Sequence, residues 1–207
     1  MTTLKKRPEK IVTRTIRESA GKKNITIVPE QITEPRKHTE AKADSPLAAY
    51  FYEELKYIYC TELHLLQVLP ILHTSAHSEA LKIALSEHLF QTEMHVQRLQ
   101  TIFKLLNKEL QAKKCIGIEG ITRETFETIE QIENMNALRD VAIIMGTQKA
   151  EHFEIAAYGS LKQLALTLER NDIADLLSLT LAEEKAADEL LTELATRNAN
   201  LEAQALS

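Results

Sequence analysis

Tryptophan is absent from this chain of 207 residues, and glycine and proline contribute only five residues each. So small a supply of turn formers speaks against a turn-rich sheet architecture. Cysteine is also scarce. Cys60 and Cys115 stand far apart and form no Cys-x-x-Cys ligand pair, which excludes a disulfide framework and a thiolate zinc site and leaves two reduced thiols. No apolar run approaches the roughly 18 to 20 uncharged residues that span a bilayer. The basic N-terminus has no continuous hydrophobic stretch for a secretory signal, and Glu9 and Glu18 fit a transit peptide poorly, so a cytoplasmic protein with no membrane partner is expected. What the chain does have is leucine, alanine, glutamate and lysine in quantity, with 44% hydrophobic residues. That mixture indicates a soluble, all-α fold.

Charge divides the chain in two. Residues 1–45 hold 11 Lys/Arg against 6 Asp/Glu, a net of +5, and the remainder holds 14 against 24, a net of -10. The basic segment lacks the apolar mass to offset its ordering entropy and reads as a disordered N-terminal tail. Its charge suits contact with DNA or with an acidic partner protein. Within it, Asn24 to Thr33 has the composition of an extended or docking segment interrupted by Pro29.

Four long helical patterns follow. The first starts at Ser45 and Pro46, a cap and first-turn pair, and carries Leu55, Ile58, Glu62, Leu65, Leu69 and Leu72 on one face, with a kink expected at Pro70. The second starts at Ser78, and its face runs Leu81, Leu85, His88, Thr92, His95, Leu99, Ile102 and Leu106, with Gln91 just off centre. A long connection containing Gly117 and Gly120 comes next, with a short helix expected over Arg123 to Ile132. The third pattern, from about Asn136, places Val141, Ile144, Glu151, Ile155, Tyr158 and Leu161 on its face, with Gln148 and Glu154 at the flanks. The fourth places Ile173, Leu177, Leu181, Glu184, Asp188 and Leu191 inward. Two helical hairpins joined by a long crossover predict a ferritin-like up-down four-helix bundle over residues 46–197, with 198–207 as a frayed end.

Every one of these faces carries acids or imidazoles at its middle. Buried carboxylates are costly unless they are paired, hydrogen-bonded or bound to metal. Bundles that bind two metal ions project Glu and His inward from facing helices. Glu62 and Glu151 serve as single carboxylates in this reading, with His88 and His95 from the second helix and Glu184 and Asp188 from the fourth. Seven residues separate the two histidines, about two helical turns, so they reach one metal pair only from opposite ends. Oxygen ligands mixed with imidazole suit Fe or Mn. Tyr158 or Tyr59 is placed to donate an electron or a hydrogen bond. Glu53, Glu54, Glu183 and Lys149 read as solvated charges.

At these residues the chain resembles the YciE/YciF family of ferritin-like proteins. The resemblance extends from Leu47 to about Ala195 and rests on "YCTELHLLQVLP", "EHLFQTEMHVQRL", "CIGIEGI", "QKAEHFEIAAYGSL" and "LAEEKAADELL". It implies a dimeric ferritin-like bundle with a di-iron or related dimetal site, a role in bacterial stress responses and ferroxidase activity toward oxygen or peroxide. It also implies Glu62, Glu151, Glu154 and Glu184 as acidic metal ligands, completed by His88 and by His95 or Asp188. Two departures stand out: Gln91 occupies a position where related sequences commonly have Glu, and the second and fourth helices lack Glu-x-x-His.

Overall fold

The computed structural model describes residues 45–134 and 136–206. The expectations for the basic arm lie outside the described residues, except at Ser45. There the Ser45 hydroxyl accepts from the Ala48 amide at 3.1 Å and opens α1, Pro46–Ser75. Pro70 lies inside α1, which continues to Ser75. Ser78 caps α2, Glu79–Leu105, in the same manner. After the crossover come α3, Ile116–Glu130, then α4, Ala137–Thr167, capped by Asn136, and α5, Asn171–Leu194. All regular structure among the described residues is helical.

Two helix boundaries differ from the sequence expectation. The crossover helix begins at Ile116 rather than Arg123, with both glycines inside it. Gly117 brings α3 close to α4: a Cβ there would meet the edge of the Phe153 ring at 2.8 Å and push that ring aside. Ile118, Thr122, Thr125 and Ile129 then recur at helical spacing on its buried face. The expected frayed end is instead helical. A π-helical turn at Ala195–Ala199 leads into a short helix α6, Asn200–Gln204, and Ala199 is buried against the apolar cluster that includes Leu191.

The direction of each helix follows from what holds its ends. Asp140, in the first turn of α4, accepts from the His77 and Ser78 amides at 2.6 and 2.8 Å, fastening the α1–α2 turn to the start of α4. At the other end, Arg170 in the α4–α5 turn donates to the Leu105 carbonyl of α2 at 3.1 Å. Helices α2 and α4 therefore run the same way, with α1 and α5 opposed, which requires the crossover to climb the length of the molecule. It does so along α1, where the Lys113 amide donates to the Lys56 carbonyl at 3.0 Å. Helix α3 then packs on α4, where Thr125 fills the space beside Gly146.

The core is two apolar clusters. One gathers Leu65, Leu69, Leu72, Leu81, Leu85, Ile118, Ile144 and Leu191. The other gathers Phe51, Leu55, Ile58, Leu99, Phe103, Leu161, Ile173 and Leu177. Between them α1, α2, α4 and α5 contribute a buried layer of Glu62, His88, Thr92, His95, Glu151, Glu154 and Glu184. Val141, Ile155 and Leu181, expected on buried faces, are half-buried, and Ile143, Glu154 and Thr180 are buried beside them.

Candidate metal centre

Each helix delivers its polar residues to the same depth because apolar residues one or two turns away fix its rotation. Glu62 lies between Ile58 and Leu65, and Glu184 between Leu177 and Leu191. The result is two groups of donors. His88, Glu151, Glu154 and Glu184 offer one atom each within 4.8 Å of one another, and Glu62, His95 and Glu184 do likewise. Glu184 belongs to both. His88 and His95 thus fall in different groups, at opposite ends of the shared carboxylate.

These donors are short of partners. Both oxygens of Glu151, Glu154 and Glu184, Oε2 of Glu62, and Nδ1 of His88 and His95 are buried without a hydrogen-bond partner. His88 Nε2 stands 3.1 Å from Glu151 Oε1, and His95 Nδ1 lies 3.0 Å from Glu184 Oε1 and 3.4 Å from Glu62 Oε1. Burial raises Glu62 despite its contact with His95, and pushes Glu151 and Glu154 well above the usual carboxylate range. Glu184 is the exception. Burial opposes its charge too, but the proximity of the His95 imidazole outweighs it and holds its pKa low. Burial likewise disfavours the charged form of His95, yet Glu184 and Glu62 together lift it to about 10, while burial lowers His88. Carboxylates and imidazoles without hydrogen-bond partners converging in a buried layer fit hard or borderline divalent cations.

Glu183, expected on a solvated face, has another role. His95 Nε2–H donates to Glu183 Oε2 at 2.9 Å, which turns Nδ1 toward Glu62 and Glu184. Arg98 grips both oxygens of Glu183, with Nη2 to Oε1 at 2.8 Å, and donates to Thr180. A carboxylate behind a ligand histidine is a recurrent support at metal sites. The signal was present in the sequence: Glu183 precedes Glu184, and Arg98 follows His95 by almost one turn.

Asp188 belongs to neither group. It sits one turn beyond Glu184, about 6 Å along the axis. There its carboxylate accepts from the Gln148 side chain at 3.2 Å and faces the exposed His152 at 3.5 Å. Tyr158 is fully buried and donates to Glu62 Oε1. Tyr59 instead packs edge-on against Phe103, with ring centroids 5.8 Å apart. Gln91 lines a cavity of about 130 Å³ together with His88 and Glu151. A larger groove of about 920 Å³ between α1 and α4 contains none of the donors.

Residues 47–204 match the family model described as a domain of unknown function, DUF892. The chain belongs to this family. It is 39% identical to protein YciF of Escherichia coli strain K12 over 155 residues, covering 74% of this chain and 93% of that protein. The crystal structure of the Escherichia coli stress protein YciF superposes with a TM-score of 0.71 at 35% identity, covering 74% of this chain and 97% of that one. YcfI of Rhodopseudomonas palustris gives 0.70 at 32% identity, covering 72% and 94%. No helix among the described residues is long and apolar enough to cross a membrane.

Proposed function

We propose that this DUF892 protein is a ferritin-like four-helix bundle that holds two iron or manganese ions and works as a ferroxidase-type stress protein, using oxygen or peroxide as oxidant. The observation that carries the reading is the convergence of partnerless donors from α1, α2, α4 and α5 on two positions that share Glu184. Leaving several buried carboxylates uncompensated would consume much of the roughly 5–15 kcal/mol by which a domain is stable. Bound ions would neutralise them and supply redox electrons.

The residues of the chain do the rest. His88, Glu151 and Glu154 would hold one ion and Glu62 with His95 the other, with Glu184 reaching both. Glu183 orients the His95 ring, and Arg98 keeps Glu183 in place. Tyr158 donates to Oε1 of Glu62 and so fixes that carboxylate, whose Oε2 is left without a partner. The two apolar clusters keep bulk water away, which strengthens each electrostatic contact. Asp188 remains outside this ligand set. The stress role follows the description of the YciF relative.

The test is anaerobic titration with Fe(II), metal analysis of the protein as isolated, and oxygen uptake on mixing. Two ions per chain are expected, with stoichiometry lost in Glu62→Ala and Glu151→Ala. A parent protein that binds no iron and consumes no oxygen overturns the reading. The net charge of +5 on residues 1–45 supports a second reading, in which the bundle is a scaffold and the arm contacts DNA or a partner protein. Binding that falls steeply with salt and disappears on deleting the arm would favour it. Homodimer assembly is part of the first reading, and sedimentation velocity measures it.

A further inference from the structure

The metal layer is sealed on nearly every side. Glu62, His95, Glu151, Glu154 and Glu184 are fully buried, and His88 alone retains exposure, at 5%. His88 and Glu151 form the floor of the 130 Å³ cavity that opens between α2 and α5. Ala84, Ala186 and Ala187 keep its walls open, Leu190 stands at the rim, and Glu87 and Gln91 add a charge and an amide. The space is enough for several water molecules, and so for a partly hydrated cation. Neither Glu62 nor His95 lines it. The larger α1–α4 groove offers no alternative, because Thr61 and Leu161 form its floor and no donor reaches it. Beyond His88, Glu184 is the one carboxylate common to both positions.

We propose that the α2–α5 cavity is the entry route for a divalent cation, that the position of His88, Glu151 and Glu154 loads first, and that the position of Glu62 and His95 fills through it across Glu184. This rests on the dimetal reading above. The route explains why alanines, rather than larger apolar residues, occupy α5 opposite His88. The acidic body and Glu87 at the rim draw cations toward it.

The experiment follows uptake of Co(II) by the full chain in stopped flow under argon, with Co(II) absorbance as the signal. The parent should fill in two phases, and Glu62→Ala should lose the slower one. Ala187→Phe, which plugs the cavity, should slow both phases about tenfold or more while leaving the final stoichiometry unchanged, since a plug hinders entry and exit alike. Leu190→Ala, which widens the rim, should speed them, so the route is still tested if the phenylalanine variant folds poorly. Ala156→Phe, placed in the α1–α4 groove, should behave as the parent. Unchanged rates in both cavity variants overturn the route, as does loss of the faster phase in Glu62→Ala. Failure of the parent to bind any Co(II) removes the dimetal reading and the route with it, whereas full binding at unaltered rates removes the route alone.

Discussion

Among single residues, Glu184 and Glu154 make opposite points. Glu184 is shared by both donor groups, so Glu184→Ala should lower metal content at both positions, whereas Glu62→Ala should spare the His88 position. Metal analysis after dialysis distinguishes the two. Glu154 has neither oxygen satisfied and resists ionisation. Glu154→Leu should therefore raise the stability of the metal-free protein by about 1–3 kcal/mol while weakening metal binding, because an apolar side chain of similar size removes a desolvated acid. Urea denaturation in the presence of a chelator measures the gain. Glu183 touches no proposed ion and acts through His95. Glu183→Ala frees the imidazole to reorient, and affinity for Mn(II) should fall by about 10- to 100-fold with little change in fold. Gln91→Glu should tighten binding, since it adds an anionic oxygen beside His88.

At the scale of helices, the close approach of α3 to α4 is the feature most sensitive to change. A Cβ on Gly146 would lie 2.2 Å from Thr125 Oγ1, and the β-branched threonine has little freedom to move aside. Gly146→Ala should cost about 1–3 kcal/mol through overpacking. Gly120 has open space at the same distance, so Gly120→Ala should stabilise by up to about 1 kcal/mol through helix propensity. Thermal melts of the two variants separate packing from propensity. The same contacts explain why the start of α3 was misplaced from sequence. Glycines usually punctuate helices, and only the packing of α3 on α4, with the Phe153 ring against Gly117, shows why they fall inside one here. Asp140 carries a similar lesson. In sequence it is an acid in the first turn of a helix, yet in the fold it is buried and orders a turn more than sixty residues away.

For the whole molecule, the buried layer makes stability depend on pH and metal together. Between about pH 7 and about pH 9 the groups with depressed values, His88 and Glu184, have released their protons in folded and unfolded chains alike. Neighbouring Glu184 and Glu62 raise His95 to about 10, so across this window the folded state retains a proton there that the unfolded chain has lost, and the upward shift of Glu151 and Glu154 by burial acts in the same direction. Stability of the metal-free protein should therefore fall as pH rises through this window. Metal replaces those protons, so stabilisation by Mn(II) should grow over the same interval. Melting temperatures at both pH values, with Mn(II) and with chelator, check the sign. The sequence by itself determined the helical class, the inward faces and the depth of Glu62, His88, His95, Glu151 and Glu184. Helical periodicity is local, and an acid inside an apolar stripe is visible without any partner. Only the tertiary structure decided which donors share a position, that Glu183 supports His95, that Asp188 turns to Gln148, and where α3 begins. Those outcomes depend on the rotation and spacing of helices distant in sequence, which local spacing hints at for Arg98 and Glu183 but does not fix.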